Sequence, residues 1–150
     1  MTITIEQVVE RIADWKGKTV AIYPLSGGLT NTNYRLEVDG TPCVVRIPGA
    51  NTELLAVDRA NEHYNTVAAA RAGVGPTVAH YLEDVNVMVL EFIHGQTMSI
   101  PSLKEPGQPT RIAQSLRKLH AGPRFLHDFN MFRLTEFYLK VVDEHEVRIP

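Results

Sequence analysis

The sequence predicts an α+β fold with a five-stranded antiparallel sheet, one long helix and a helical C-terminal segment. Three observations lead to this prediction. Short segments of alternating apolar and polar residues are typical of strands that are buried on one face. Turn sequences at Asp39-Gly40 and at Glu83 to Asn86 join these segments in pairs, as antiparallel neighbours require. One long segment, closed by Gly73, separates the third strand from the fourth.

The first third of the chain is predicted to form a helix and three strands. Thr4 and Gln7 have the spacing of a capping box, and apolar residues recur at helical spacing after them. We expect this helix to run from Ile5 to about Trp15 and to end at Gly17. A polar loop with two glycines follows the first strand, and a two-residue hairpin turn follows the second. The three expected strands cover residues 19–25, 34–38 and 43–47.

The rest of the chain is predicted to complete the sheet and to begin a second lobe. A stretch rich in proline, glycine and serine follows the last strand and has the composition of a linker. We therefore divide the chain near Gly95 into a β-rich lobe of residues 1–94 and a segment 95–150 that holds the linker and the first helices of a partial C-terminal lobe. The expected elements are a helix at 52–72, strands at 77–82 and 87–93, and helices at 109–120 and 131–144, the last capped by Asn130.

The composition argues against several classes of protein. The net charge is −2, and the most basic stretch, Arg111 to Lys118, carries three positive charges. Nucleic acid or an anionic membrane would require a denser basic face, so neither is expected as a partner. The sequence has no recognisable signal peptide or transmembrane segment, and its one cysteine, Cys43, fits a cytoplasmic, reducing compartment. The histidines lack the spacing of helical metal ligands, so no metal site is predicted.

The first candidate site is the glycine-containing loop after the first strand. Gly27 and Gly28 would let the backbone approach a phosphate group closely, with N–H groups directed at the anion. Walker and Rossmann loops open a helix, whereas this loop lies between two strands. Strand, glycine loop and strand is the arrangement of kinase-type nucleotide lobes. Taken alone, the Gly-Gly pair is more often an ordinary hairpin turn than a phosphate site.

Two charged residues could form a pair beside such a phosphate site. Arg46 lies in the third strand, where kinase lobes carry a cation that reaches the phosphates and pairs with a helix carboxylate. Glu62 lies in the middle of the long helix, at the place of that carboxylate. The alternatives are an exposed strand charge for Arg46, and for Glu62 a solvated helix face or a local pair with Arg59.

The last candidate site is the segment of residues 87–93, which reads as a buried strand that ends shortly before Gly95. In a kinase lobe this segment leads into the hinge, whose backbone groups hydrogen-bond the adenine edge. A central strand that runs into a loop would have the same sequence, and the two interpretations are compatible.

With these features in this order, the chain resembles the N-terminal part of the choline kinase and aminoglycoside phosphotransferase superfamily, and within it the bacterial choline kinase-like branch. The resemblance covers essentially the whole chain. Two segments are fairly specific, LSGGLTNTNY at 25–34 and VVRIPG at 44–49. Four others support them: DRANE at 58–62, LEFI at 90–93, LRKLH at 116–120 and NMF at 130–132.

The resemblance implies the N-terminal part of an ATP-dependent phosphotransferase. Enzymes of this superfamily use Mg²⁺ and transfer the γ-phosphate of ATP to an alcohol of a small polar molecule, such as choline or a related amino alcohol. By position, Gly27, Gly28, Thr30 and Asn31 would line the phosphate loop, Arg46 would be the third-strand cation with Glu62 as its partner, and Glu91 and Ile93 would contact adenine through their backbone groups.

One part of the family pattern is missing from the sequence. The catalytic segment, of the form His-x-Asp-x-x-x-x-Asn, does not occur, and the closest match, His127-Asp128, has its aspartate directly next to the histidine. No catalytic residue is therefore assigned on this chain. We expect the base, the metal ligands and most of the acceptor pocket to lie in a missing lobe, and the chain to be inactive alone. Apolar surface that the missing lobe leaves uncovered would favour self-association.

Two other functions remain open. The chain could be a non-catalytic nucleotide-binding or interaction module derived from a kinase lobe. It could also belong to an aminoglycoside or sugar phosphotransferase of the same superfamily, because the residues that choose the acceptor would lie mainly in the missing lobe. The reading frame after residue 150 would separate the first of these alternatives from a kinase.

Overall fold

A computed structural model describes residues 3–50 and 52–145 and confirms the α+β fold with a five-stranded antiparallel sheet. The strand order is β1-β2-β3-β5-β4, so that β3 lies at the centre, between β2 and β5. In chain order the elements are α1 (Ile5–Arg11), a 3₁₀ turn (Ala13–Trp15), β1 (Val20–Leu25), β2 (Asn31–Val38), β3 (Thr41–Pro48), a 3₁₀ turn (Thr52–Leu55), α2 (Arg59–Arg71), β4 (Val78–Leu82), a 3₁₀ turn (Glu83–Val85), β5 (Val87–Glu91), α3 (Ile100–Leu103), α4 (Gln108–Ala121) and α5 (Met131–Glu144).

The hairpin between β2 and β3 turns at Asp39 and Gly40, as predicted. Their φ angles are +48° and +80°, the left-handed pair that a two-residue hairpin turn requires. The Asp39 carboxylate also accepts a hydrogen bond of 2.9 Å from the backbone N–H of Thr19, which ties this turn to the start of β1. Local turn chemistry thus fixes the register of β2, which follows the glycine loop, with β3, which carries Arg46.

The hydrophobic core lies between α1 and one face of the sheet. The capping box at Thr4 and Gln7 is present and starts α1. Cys43 packs against the core, and burial raises the pKa of its thiol. Because α1 covers this face, the opposite face of the sheet is the one that α2 can occupy. The buried core residues are Ile5, Val8, Ile12, Trp15, Leu36, Val38, Val45, Ile47, Val87 and Val89.

The single helix expected over residues 52–72 is divided in the structure. A 3₁₀ turn at Thr52–Leu55 ends at Ala56, whose φ of +55° cannot continue a right-handed helix. Asp58 then caps α2, because its carboxylate accepts a 3.0 Å hydrogen bond from the N–H of Asn61. The first helix is likewise shorter than expected and ends at Arg11. In both cases residues at helical spacing continue past the break, so periodicity alone predicted one uninterrupted helix.

The C-terminal segment borders α2. The N–H of Leu126 donates to the Asn65 side chain at 3.0 Å, and the Tyr138 hydroxyl donates to the Leu55 carbonyl at 3.1 Å. The predicted linker contains one short helix, α3, and α5 begins at the predicted Asn130 cap. In the part of the chain that the structure describes, no helix has both the length and the apolar character needed to cross a membrane.

Candidate functional site

Two rows of side chains cross the sheet on the face occupied by α2. Directly paired residues of an antiparallel sheet share a face, so the strand register defines both rows. The first, called here the Arg46 row, contains Asn33, Arg46, Met88 and Tyr81. The second, called the Arg35 row, contains Tyr23, Arg35, Val44 and Leu90. Two residues along a strand separate the rows, which is about 7 Å.

The Arg46 row contains the ion pair expected from the sequence. Nη1 of Arg46 lies 3.1 Å from Oε1 of Glu62, and the two side chains are 32% and 20% exposed. Glu62 also binds Arg59, its alternative partner from the sequence: Nη1 of Arg59 donates to Oε2 of Glu62 at 2.6 Å. One carboxylate therefore holds two guanidinium groups, which leaves one positive charge in excess beside the glycine loop.

The two loop glycines are required for different reasons. Gly27 has a φ of +96°, a conformation that other residues adopt only with strain. Gly28 makes a close backbone contact, since a Cβ atom built on it would lie 2.0 Å from the Asn31 carbonyl oxygen. Leu29, at the tip of the loop, is 99% exposed. The loop is thus folded back on the start of β2, and its tip is open to solvent.

Thr30 and Asn31 connect this loop to the ion pair. The Thr30 carbonyl accepts hydrogen bonds from the Gly49 N–H at 2.9 Å and from Nη2 of Arg59 at 3.1 Å. The Asn31 side chain donates to Glu62 at 3.2 Å and accepts from Arg59 at 2.6 Å. Both ends of this amide are therefore engaged, so a phosphate contact from Asn31 would have to come from its backbone N–H.

The expected hinge residues lie at the end of β5, near the Arg35 row. The N–H of Glu91 donates to the Thr77 carbonyl at 2.9 Å, and its carboxylate accepts from the Thr77 hydroxyl at 2.9 Å. Ile93 is 60% exposed, and within residues 3–50 and 52–145 its N–H has no recorded partner. A ligand edge at this position could meet the Glu91 carbonyl and the Ile93 N–H.

Sequence reasoning missed two arginines of the site. The Arg35 guanidinium carbon lies 5.6 Å from the ring centroid of Tyr23 and 5.2 Å from that of Phe92, and the side chain pairs with Glu37. Strand alternation places Arg35 on the same face as Val44, which could have indicated its position. Arg59 was considered only as a local partner of Glu62, and no sequence signal indicated its contacts with the loop.

No preformed cage of metal ligands occurs among the described residues. At phosphate sites Mg²⁺ is usually held by one or two carboxylates together with phosphate oxygens and waters. No group of three or more histidine, cysteine, aspartate or glutamate residues suited to a metal ion occurs in the described ranges. Glu62, beside the loop, is already held by two arginines.

The sheet, its glycine loop and the cation of β3 paired with a carboxylate of α2 define the fold of a kinase-like N-terminal lobe. Comparison with known proteins identifies the family. The choline/ethanolamine kinase family model matches residues 22–143, and the chain belongs to that family.

Similar proteins include members of this family from several bacteria. The protein LicA of Haemophilus influenzae is 30% identical over 105 residues, which cover 63% of this chain and 28% of LicA. A choline/ethanolamine kinase family protein from Mesorhizobium loti has 38% identity and a TM-score of 0.73, with 95% of this chain and 45% of that chain covered. Choline kinase LicA of Streptococcus pneumoniae shares the fold, with 23% identity, a TM-score of 0.74 and coverage of 90% and 47%. The chain thus spans less than half the length of these relatives.

Proposed function

We propose that this chain is the ATP-binding portion of a choline kinase-like enzyme, which transfers the γ-phosphate of ATP to choline or a related amino alcohol. The observation that carries the proposal is the contact between Arg46 and Glu62 beside a glycine loop whose conformation requires glycine. Membership of the choline/ethanolamine kinase family supports the reaction class. The Mesorhizobium loti relative, a choline/ethanolamine kinase family protein at 38% identity, supports an amino alcohol as the acceptor.

The phosphate groups would lie over the Arg46 row. Phosphoryl transfer depends mainly on positioning and on neutralising the charge of the phosphate oxygens. Arg46 supplies a guanidinium group that can bind two phosphate oxygens at once, and Glu62 holds it in place. The backbone N–H groups of the loop at Gly27 and Gly28 would contribute further donors, because glycine lets the chain approach the anion closely.

The adenine ring would lie against the Arg35 row, on the same face of the sheet as the phosphates. Val44 and Leu90 provide an apolar surface, and the flat guanidinium of Arg35, which lies near the rings of Tyr23 and Phe92, would contact the base beside it. The Glu91 carbonyl and the Ile93 N–H have the complementary polarity for the edge of adenine. The spacing of about 7 Å between the rows suits a base and phosphates bound along the same strands.

The remaining parts of the enzyme are proposed to come from outside this chain. Residues 1–94 would form the nucleotide-binding lobe, and residues 95–150 would form the linker and the first helices of the second lobe. The sequence lacks the catalytic His-x-Asp-x-x-x-x-Asn segment. We infer that the second lobe supplies the base, the acidic ligands of Mg²⁺ and most of the acceptor pocket.

Nucleotide binding can be tested directly on the 150-residue chain. Calorimetry with ATP should detect binding, and Arg46→Met should weaken it about tenfold or more, as expected for the loss of a charge-assisted hydrogen bond. Arg117→Met is the matched control, because it removes the same charge from an exposed position in α4. Absence of binding by the unaltered chain at millimolar ATP, or equal affinities for both variants, would contradict the proposal.

A further inference from the structure

We propose that Arg59 is a positioning residue that fastens the glycine loop to α2, so that the loop and the Arg46–Glu62 pair keep one fixed geometry. Its effect on nucleotide binding rests on the function proposed above, whereas the fastening itself is a property of the folded chain. Neither the family membership nor the expected roles of the loop residues assign anything to this arginine.

The evidence is the set of groups that Arg59 joins. Its guanidinium binds acceptors from three separate segments: the end of the loop, the 3₁₀ turn before α2, and α2 itself. Its side chain is only 13% exposed, and Thr52, one of the acceptors, is buried. The four contacts are the Thr30 carbonyl at 3.1 Å, the Asn31 amide oxygen at 2.6 Å, the Thr52 hydroxyl at 2.6 Å and the Glu62 carboxylate at 2.6 Å.

The donor count separates positioning from ligand binding. Nη1 of Arg59 donates hydrogen bonds to Asn31 and Glu62, and Nη2 donates to Thr30 and Thr52. All four terminal N–H groups are therefore used within the protein. The remaining donor, Nε, is buried and has no hydrogen-bond partner among the described residues. Arg59 thus has no accessible donor for a nucleotide, in contrast to Arg46, and acts on the loop through the chain.

The two arginines bind different oxygens of Glu62 and so can have different roles. Glu62 receives Arg59 on Oε2 and receives Arg46 and Asn31 on Oε1. When Arg46 shares its donors between Glu62 and a phosphate group, its bond to Oε1 weakens, but the Glu62 carboxylate keeps Arg59 on the other oxygen. Leaving a partly buried carboxylate unpaired is costly, so Arg59 makes Arg46 available for the ligand without that cost.

Fixing the Thr30 carbonyl affects the loop backbone as well. A trans peptide unit is planar, with its N–H directed opposite to its C=O. Because Arg59 and the Gly49 N–H both hold the Thr30 carbonyl, they also fix the direction of the Asn31 N–H. Lysine cannot replace this arginine, because its three donors radiate from one atom and lack the planar fork that reaches all four acceptors.

The first arm of the test measures the fastening without any nucleotide. Amide hydrogen exchange of Gly49 reports on the Thr30 carbonyl, which is its acceptor. In Arg59→Lys and Arg59→Met, exchange at Gly49 should be about tenfold faster, while the core amide of Val45 keeps its rate. Arg133→Lys is the control variant, because Arg133 also pairs with a glutamate three residues on, at an exposed site. An unchanged Gly49 rate in both Arg59 variants would overturn the proposal.

The second arm measures ATP affinity in the same variants. Arg59→Lys should bind ATP about tenfold more weakly than the unaltered chain, and faster Gly49 exchange with unchanged affinity would overturn the positioning role. If the unaltered chain binds no ATP, the proposed function fails, but the exchange result still decides the fastening. Should the Arg59 variants unfold, Thr52→Val removes one contact at nearly constant shape, and a normal Gly49 rate in it would count against the proposal.

Discussion

Arg46 in β3 and Glu62 in α2 are sixteen residues apart in the sequence, and their side chains meet at 3.1 Å on the face of the sheet opposite the core. The same carboxylate binds Arg59 at 2.6 Å, from within its own helix. Glu62 is therefore the point at which α2, the central strand β3 and, through Asn31, the base of the glycine loop are joined. The following predictions test what depends on this junction.

Removing the Glu62 carboxylate should destabilise the fold. In Glu62→Ala two partly buried guanidinium groups lose their counter-charge, and we expect the free energy of unfolding to fall by about 1–3 kcal/mol. Glu136→Ala is the matched control, since Glu136 also pairs with an arginine three residues before it, but at an exposed position. Its cost should stay within about 0.5 kcal/mol. Urea unfolding of both variants gives the comparison, and equal losses would show that the junction adds no stability.

Substitution of Gly28 should displace the loop. A Cβ atom at this position would collide with the backbone carbonyl of Asn31, which cannot move aside as a flexible side chain could. We expect Gly28→Ala to cost about 1–3 kcal/mol of stability and to weaken ATP binding about tenfold. Gly95→Ala serves as the control for stability, because its added methyl group meets no atom within 4 Å. Chemical denaturation and calorimetry measure the two effects, and unchanged ATP affinity in Gly28→Ala would argue against the loop as the phosphate site.

Local features of the fold could be predicted from the sequence more reliably than features that depend on distant parts of the chain. The hairpin at Asp39 and Gly40 and the cap at Asn130 were predicted correctly, because each depends on a few adjacent residues. The proximity of Arg46 and Glu62 was predicted from the positions that such a cation and carboxylate have in kinase-type lobes. The break at Ala56 was not predicted, since a positive φ at alanine has no local sequence signal.

The two missed arginines show why the rest could not be predicted. Arg59 contacts Thr30, which is 29 residues away, only because the chain breaks before α2 and brings Thr52 back towards the loop. Sequence spacing revealed only the local contact with Glu62. The position of Arg35 depends on the register of β1 with β2 and on where Phe92 lies after β5. These relations are set by tertiary packing, which residue spacing alone does not report.

Arg35 should affect binding of the base and not of the phosphates. Loss of a stacked guanidinium in Arg35→Met should weaken ATP binding about 5–30-fold, in line with about 1–2 kcal/mol for such a contact. Binding of inorganic tripolyphosphate should not change, whereas Arg46→Met should weaken both ligands. Arg11→Met, which removes an exposed cation paired with Asp84, is the control. Equal losses for ATP and tripolyphosphate in Arg35→Met would place Arg35 at the phosphates and contradict the assignment of the two rows.

The 150-residue chain should self-associate through α5. Phe132 is 84% exposed and Leu139 is 54% exposed, and their spacing of seven residues places them on one side of the helix. We expect sedimentation velocity to show oligomers that increase with concentration, and the double variant Phe132→Glu with Leu139→Glu to shift the population to monomer. Gln114→Glu, which adds charge at an exposed position in α4, should not change the distribution. A strictly monomeric unaltered chain over the same concentrations would refute this prediction.

The chain alone should transfer no phosphate above background, to choline or to any other alcohol. Arg46 and the glycine loop can hold and partly neutralise the phosphates, but transfer also requires a base for the acceptor hydroxyl and acidic ligands for the metal ions. The sequence has no His-x-Asp-x-x-x-x-Asn segment, and the described residues show no cluster of metal ligands. A coupled assay of ADP release with ATP, Mg²⁺ and a series of amino alcohols tests this prediction. Turnover that Arg46→Met abolishes would mean that these 150 residues suffice for catalysis, and the proposed division between this chain and a second lobe would then be wrong.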